Sequence, residues 1–151
     1  MLKYLFLVFP LVANSAVLPD AKLTPGAVRT VDVKTLCTTS TKLVRNVPES
    51  EKRAVYKEYG MSKPRTGYCD TPSGCEVDHV ISLELGGSND ITNLWPQSYD
   101  NACNAHQKDA LENKLHKMIC ENAITIDQAQ NAISTNWIDA YKAFVDEKGC
   151  E

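Results

Sequence analysis

The clearest run of alternating hydrophobic and polar positions lies between Thr125 and Gly149. Ala129, Ala132, Ile133, Trp137, Ala140, Tyr141, Phe144 and Val145 recur there at intervals of three and four, the repeat of an amphipathic helix. Thr125 stands where an N-cap belongs, Gln128 completes the capping-box spacing, and Gly149 is expected to close the helix. This stripe is read as core packing with no ligand role. Upstream, Asp100 to Asn122 contains neither Pro nor Gly, and Ala105, Leu111, Leu115, Met118 and Ile119 fall close to helical spacing, which predicts a central helix whose back the last helix buries. A shorter helix is predicted near 48–59. Pro48 is placed to begin it, Ala54, Val55 and Tyr59 share one side, and Gly60 stops it.

Between these helices the pattern changes. Residues 75–87, "CEVDHVISLELGG", are rich in β-branched side chains and bounded by turn signals, which favours a strand. After Gly86-Gly87, "NLWP" is the expected return strand. Residues 61–75 are rich in Pro, Gly and Ser and read as a loop. Residues 17–36, with two prolines, a glycine and no sustained period, read as an extended arm lying on the domain. The predicted class is α+β.

Composition adds limits. The chain has 151 residues, 43% hydrophobic and 23% charged, with no tandem period, as expected of one compact globular domain. The first residues carry Lys3, an apolar run from Tyr4 to Val12, and then Ala13, Asn14, Ser15 and Ala16. This is the pattern of a secretory signal peptide cut after Ser15 or Ala16; the run is too short to span a membrane and Pro10 interrupts it. The expected division is a signal peptide over 1–16 and a single domain over 17–151, giving a secreted or periplasmic product with no membrane association after cleavage.

Six cysteines remain: Cys37, Cys69, Cys75, Cys103, Cys120 and Cys150. An even number in an exported chain reads as three disulfides, and the absence of any Cys-x-x-Cys pair argues against a structural zinc knuckle. Fifteen pairings are open. Cys69 and Cys75 are close enough to close "CDTPSGC" locally, and bridges from Cys37 to Cys120 and from Cys103 to Cys150 would tie the N-terminal segment and the tail to the central helix. Losing Lys3 leaves 15 Lys and Arg against 19 Asp and Glu, a net charge of -4. A nucleic-acid ligand would therefore need a local basic patch, and Lys42, Arg45, Lys52, Arg53, Lys57, Lys63 and Arg65 supply one against Glu49, Glu51 and Glu58. A solvated face is the commoner meaning of such a run, so the patch permits phosphate binding without demonstrating it.

The polar residues of the hairpin and the following helix carry the chemistry. Asp78-His79, the Leu-Glu-Leu stretch, Gly86-Gly87, Asn89-Asp90 and Asn93, fourteen residues beyond the histidine, resemble the signature of the HNH nuclease family. The resemblance is strongest to exported HNH-like proteins with "DH…LELGG…NLWP" followed by "KD…LE…LH…C". Lys108, Asp109, Leu111, Glu112, Leu115, His116 and Cys120 fit that second pattern, so the likeness covers residues 75–120. It implies a ββα hairpin-and-helix core around one divalent metal, with additional packing helices and disulfides as staples.

By that resemblance His79 is the general base, Asp78 a metal ligand, and Asn93 the residue that holds the loop or orients the histidine. A residue at the start of the helix completes the metal site: Asn104 by preference, with His106 and Asn101 as alternatives. Lys108 is a solvated helix residue or, if the site is real, a phosphate contact. Oxygen ligands favour Mg²⁺, then Mn²⁺, with Zn²⁺ or nickel credible if His106 binds. The expected function is a metal-dependent endonuclease acting on DNA, with RNA as a further substrate class. The alternative is an inactive, disulfide-stabilised HNH-like module that binds nucleic acid or a protein partner. Glu84, Asp90, Asp109 and Glu112 are read as solvated charges or helix contacts, His116 as a helix-face residue, and Trp95 as a packing anchor. One geometric demand follows: consecutive strand residues point to opposite faces, so Asp78 and His79 share a site only where the strand twists or ends.

Overall fold

The computed structural model describes residues 17–61, 69 and 72–150. The signal-peptide expectation and much of the predicted 61–75 loop lie outside the described residues. The protein is mixed α+β: α1 (Val33–Thr38), α2 (Glu49–Glu58), β1 (Cys75–His79), β2 (Leu94–Ser98), α3 (Ala105–Cys120) and α4 (Ile126–Phe144), with β1 and β2 forming a two-stranded antiparallel sheet. Among the described residues no helix is long and apolar enough to cross a membrane.

Local rules account for most of these boundaries. Asn104 caps α3 and Thr125 caps α4, each in a complete capping box with Gln107 and Gln128. Asp32 accepts from the Thr35 N–H, so the end of the predicted arm turns into α1 instead of staying extended. The predicted strand is shorter than its β-rich sequence. It stops at His79, and Leu83–Leu85 form a 3-10 turn.

Nor does Gly149 close α4. Val145 is its C-cap, and the helix bends at Asn136, whose backbone is extended (φ -163°, ψ 99°). The Asn136 Oδ1 accepts from the backbone N–H groups of Ile138 and Asp139, a second N-cap inside one continuous hydrophobic stripe.

The core joins α3 to α4 and to the segment after β1. Leu111, Leu115 and Ile119 of α3 pack with Ala129, Ile133, Trp137 and Ala140 of α4, and Ile81, Leu85 and Trp95 complete the cluster. Trp95 is fully buried, as its apolar neighbours predict. The arm lies along the segment after β1: the Gly26 N–H donates to the Thr92 carbonyl, the Arg29 N–H to the Gly86 carbonyl, and the Ser88 N–H to the Ala27 carbonyl.

All three expected bridges are present: Cys69–Cys75, Cys37–Cys120 and Cys103–Cys150. Two of them anchor on α3 or the loop just before it, joining α1 and the C-terminal tail to the middle of the fold. Three disulfides suit an oxidising, extracellular environment.

Candidate active site

The β1–β2 register pairs Asp78 with Trp95 and His79 with Leu94. Because β1 ends at His79, a cavity of about 220 Å³ at the strand terminus reaches both residues. Thr41, Arg45, Asp78, His79, Ser82, Leu83, Glu84, Asp109, Glu112 and Asn113 line it. The strand end thus meets the demand that alternation of faces imposes.

His79 is 2% exposed. Its Nε2 lies 3.2 Å from the Asn89 Oδ1. The orientation of that amide is fixed independently, since the Asn89 Nδ2 donates to the Val44 carbonyl and the Oδ1 accepts from the Asn46 N–H. An amide oxygen can only accept, so His79 carries its proton on Nε2 and presents a lone pair at Nδ1. Burial, the largest influence, pushes the imidazole below its ordinary value of 6.5. Asp78 and the Asn89 hydrogen bond oppose that shift, while Arg45 and Lys108 add to it. A neutral imidazole at neutral pH is the form a general base requires.

Asn93 is fully buried, and its side chain makes four hydrogen bonds. Its Nδ2 donates to the Ile81 and Ser88 carbonyls, and its Oδ1 accepts from the N–H groups of Ile81 and Ala27. It therefore holds the 81–88 segment and the arm together. Contact with the histidine belongs to Asn89, which the sequence reading had placed only in a turn. The Asn-Asp pair after Gly-Gly was the available signal, but it is turn chemistry by itself.

Lys108 departs from both readings of its role. It is 1% exposed, and its ammonium donates to the Asp78 Oδ2 at 2.6 Å, to the His79 carbonyl at 2.7 Å and to Glu112. All three donors are used inside the protein, so Lys108 is neither solvated nor available to a substrate phosphate. It is the tie between α3 and the end of β1. Glu112, expected to be a solvated charge or helix contact, is buried as part of this triad. Burial, with the Asp78 carboxylate nearby, pushes its pKa up, against the pull of Lys108. Burial alone would favour the neutral amine, but the two carboxylates outweigh it and hold the Lys108 ammonium charged, above its ordinary range.

The residues expected at the helix start do not join the cavity. The Asn104 Oδ1 is spent on the His106 N–H as the α3 cap. His106 is exposed, with its ring 5.3 Å from that of Tyr99. Asn101 precedes the helix, and none of the three lines the cavity. The α3 residues that do so come one and two turns later, namely Asp109, Glu112 and Asn113. Helical spacing puts them on the face toward β1, a relation that motif matching at the helix start misses.

The donor set is compatible with a hard divalent ion. Four carboxyl groups line the cavity; Lys108 pairs with Asp78 and Glu112, while burial first, and then the charge of Asp109 on Glu84 and of Asp78 on Asp109, raises the pKa of Glu84 and Asp109, so a cation beside these two would find uncompensated charge. The Ser82 Oγ is buried with no hydrogen-bond partner among the described residues and stands on the cavity wall, which calls for a polar occupant. Among the described residues the only trio of His, Cys, Asp or Glu ligand atoms within 4.8 Å of one another is Cys37, His116 and Cys120, elsewhere. An ion in the cavity would thus be held by one or two side chains and completed by water, as Mg²⁺ commonly is.

Arg45 is the cation that faces this space. It lines the cavity and also a neighbouring groove of about 400 Å³ along β1 with Val47, Lys52, Tyr56 and Glu76. No ion pair to its guanidinium exists among the described residues. Compared with known proteins, the chain matches no family model, no curated protein and no solved structure.

Proposed function

We propose that the protein is a metal-dependent HNH-like endonuclease, exported to a secreted or periplasmic location, that hydrolyses phosphodiester bonds in DNA, with RNA as a further substrate class. The observation that carries the reading is His79: buried, neutral, fixed in the Nε2–H tautomer by Asn89, and on the wall of the same cavity as Asp78. The order β1, β2, α3, with α3 bonded to the end of β1 through Lys108, supports an HNH-like ββα core.

In this mechanism the His79 Nδ1 takes a proton from the attacking water, while Asn89 keeps the ring from rotating or changing tautomer. The water oxygen bonds to phosphorus and the P–O bond to the leaving oxygen breaks. Asp78 and Asp109 would hold the ion, Mg²⁺ or Mn²⁺ by their oxygen donors, and that ion supplies charge neutralisation at the phosphate and the leaving oxygen. Without a cation Glu84 and Asp109, which Lys108 does not pair, would repel a phosphodiester. Arg45, not Lys108, offers the phosphate contact, and the groove beside it continues the path for the strand.

One observation favours the inactive binding module. Lys108 already neutralises the Asp78 carboxylate, in the manner of a built-in counter-ion. Incubating the oxidised protein with supercoiled plasmid separates the two. The nuclease reading expects nicking that needs Mg²⁺ or Mn²⁺, stops with EDTA, and falls by about 10²–10⁴-fold in His79→Ala. The rate should hold until the pH drops below about 6.5, because burial lowers the His79 pKa. Metal-independent cleavage, or a folded protein that binds DNA and never cuts it, would overturn the enzyme.

A further inference from the structure

A second cluster lies beside this cavity, where α1 meets the end of α3, and touches it through Glu84. Cys37 of α1 is bonded to Cys120, the last residue of α3. His116 lies one turn before Cys120, and its Nε2 is 3.6 Å from the Cys120 Sγ. One ligand atom from each of Cys37, His116 and Cys120 falls within 4.8 Å of the others. Tetrahedral zinc, with bonds of about 2.3 Å to sulfur and about 2.0 Å to nitrogen, spaces its ligand atoms by roughly 3.5–3.8 Å. The His116–Cys120 spacing already has that value, set by four residues of helix.

The other ring nitrogen also has a suitable neighbour. The Nδ1 of His116 is 3.9 Å from the Glu84 Oε2, and a metal-ligating histidine commonly directs its second nitrogen at a carboxylate. Binding through Nε2 would give up only its 3.4 Å approach to the Leu36 carbonyl.

We propose that reduction of the Cys37–Cys120 bridge opens a zinc site formed by the two thiolates and the His116 Nε2, so that this position holds either a disulfide or a metal. A dithiol supplies two electrons and two protons to the paired sulfurs and becomes a disulfide itself. Zinc then displaces both thiol protons to solvent, takes the neutral imidazole as third ligand, and leaves the fourth position to water. The newly made chain passes through the reduced state before oxidation, and there the metal would tie α1 to α3 in place of the later bridge. This site is independent of the nuclease reading.

The test uses the full mature chain, with Co²⁺ as a spectroscopic stand-in for Zn²⁺. The oxidised protein should show no thiolate-to-cobalt absorption. After treatment with dithiothreitol and its removal without oxygen, one equivalent of Co²⁺ should bind in tetrahedral form and be displaced by Zn²⁺. His116→Ala should weaken binding at least about 10-fold, and Glu84→Gln by a smaller factor. A variant with Cys69, Cys75, Cys103 and Cys150 all changed to Ser should still bind, whereas Cys37→Ser/Cys120→Ser should not. If the reduced chain loses helix, Zn²⁺ should restore it, read by circular dichroism. No stoichiometric binding on reduction, unchanged affinity in His116→Ala, or an unfolded reduced chain that zinc leaves unfolded each overturns the site.

Discussion

Asp78, Lys108 and Glu112 place one ammonium against two carboxylates in the protein interior. Removing one member of such a group usually costs more than the group contributes, because an uncompensated charge stays behind. Glu112 has a further consequence for pH. Burial, with the Asp78 carboxylate nearby, raises its pKa on folding against the pull of Lys108, so the folded chain binds that proton more tightly than the unfolded one. The resulting stability is complete below about pH 4.5 and is lost as the pH climbs from there through the raised folded-state value. Glu112→Gln keeps the shape and an acceptor for Lys108 without the titration. Urea midpoints measured from acid to alkaline pH should therefore decline across this window in the parent protein and flatten in the variant. His79 acts in the opposite direction: its lowered pKa supports stability above about 6.5, which fades as the pH falls toward the folded-state value. Neither effect was legible in the sequence, where Glu112 and Lys108 look like ordinary helix-surface charges.

At the level of elements, the site depends on the segment joining β1 to β2. Asn93 satisfies its buried backbone groups, and Gly87 lets the chain fold back on itself. A Cβ on Gly87 would lie 1.7 Å from the Ile81 carbonyl oxygen, a contact that only displacement of the segment can relieve. Gly86 differs: its backbone is left-handed (φ +86°), which costs a side chain about 1–2 kcal/mol, and its Cβ would meet the Gln130 Nε2 at 3.0 Å and the Val31 Cγ1 at 3.1 Å, side-chain atoms that can give way where the Ile81 backbone cannot. Gly87→Ala should thus lose more stability than Gly86→Ala, on the order of 3 kcal/mol or more by urea denaturation, and should disturb His79 along with Ile81. Equal losses would mean that the segment yields easily. The Gly-Gly signal was visible in the sequence as a turn, but which glycine faces backbone and which faces side chains that can move depends on what packs against each.

Across the whole molecule, the bridges restrain very different lengths of chain. Cys37–Cys120 spans 83 residues, Cys103–Cys150 spans 47 and Cys69–Cys75 spans 6. Loop entropy alone assigns them about 4.5, about 4 and about 2 kcal/mol. Paired Cys→Ser variants should therefore lose denaturant stability in that order, with the Cys69–Cys75 pair the mildest. A reversed order would show that local packing near Cys69 outweighs chain restraint.

The sequence by itself determined the elements: the Thr125 capping box, the periodic stripes of α3 and α4, the hairpin around Gly-Gly, and the presence of Asp-His at its first strand; the Asn104 cap of α3 is as local a signal, but the family resemblance reads that residue as a metal ligand. Those signals act through hydrogen bonds and side-chain spacing within a few residues, so a linear reading captures them. Its errors at the elements are also local in kind, where Asp32 nucleates a helix in the arm and Asn136 recaps α4. Only the tertiary structure decided which of fifteen pairings joins the cysteines. It alone spent Lys108 on Asp78, 30 residues away, put Asn89 rather than Asn93 on the histidine, and brought Asp109 and Glu112, not Asn104, to the cavity. These relations depend on burial and on charges from distant segments, whose energies exist only once the segments meet.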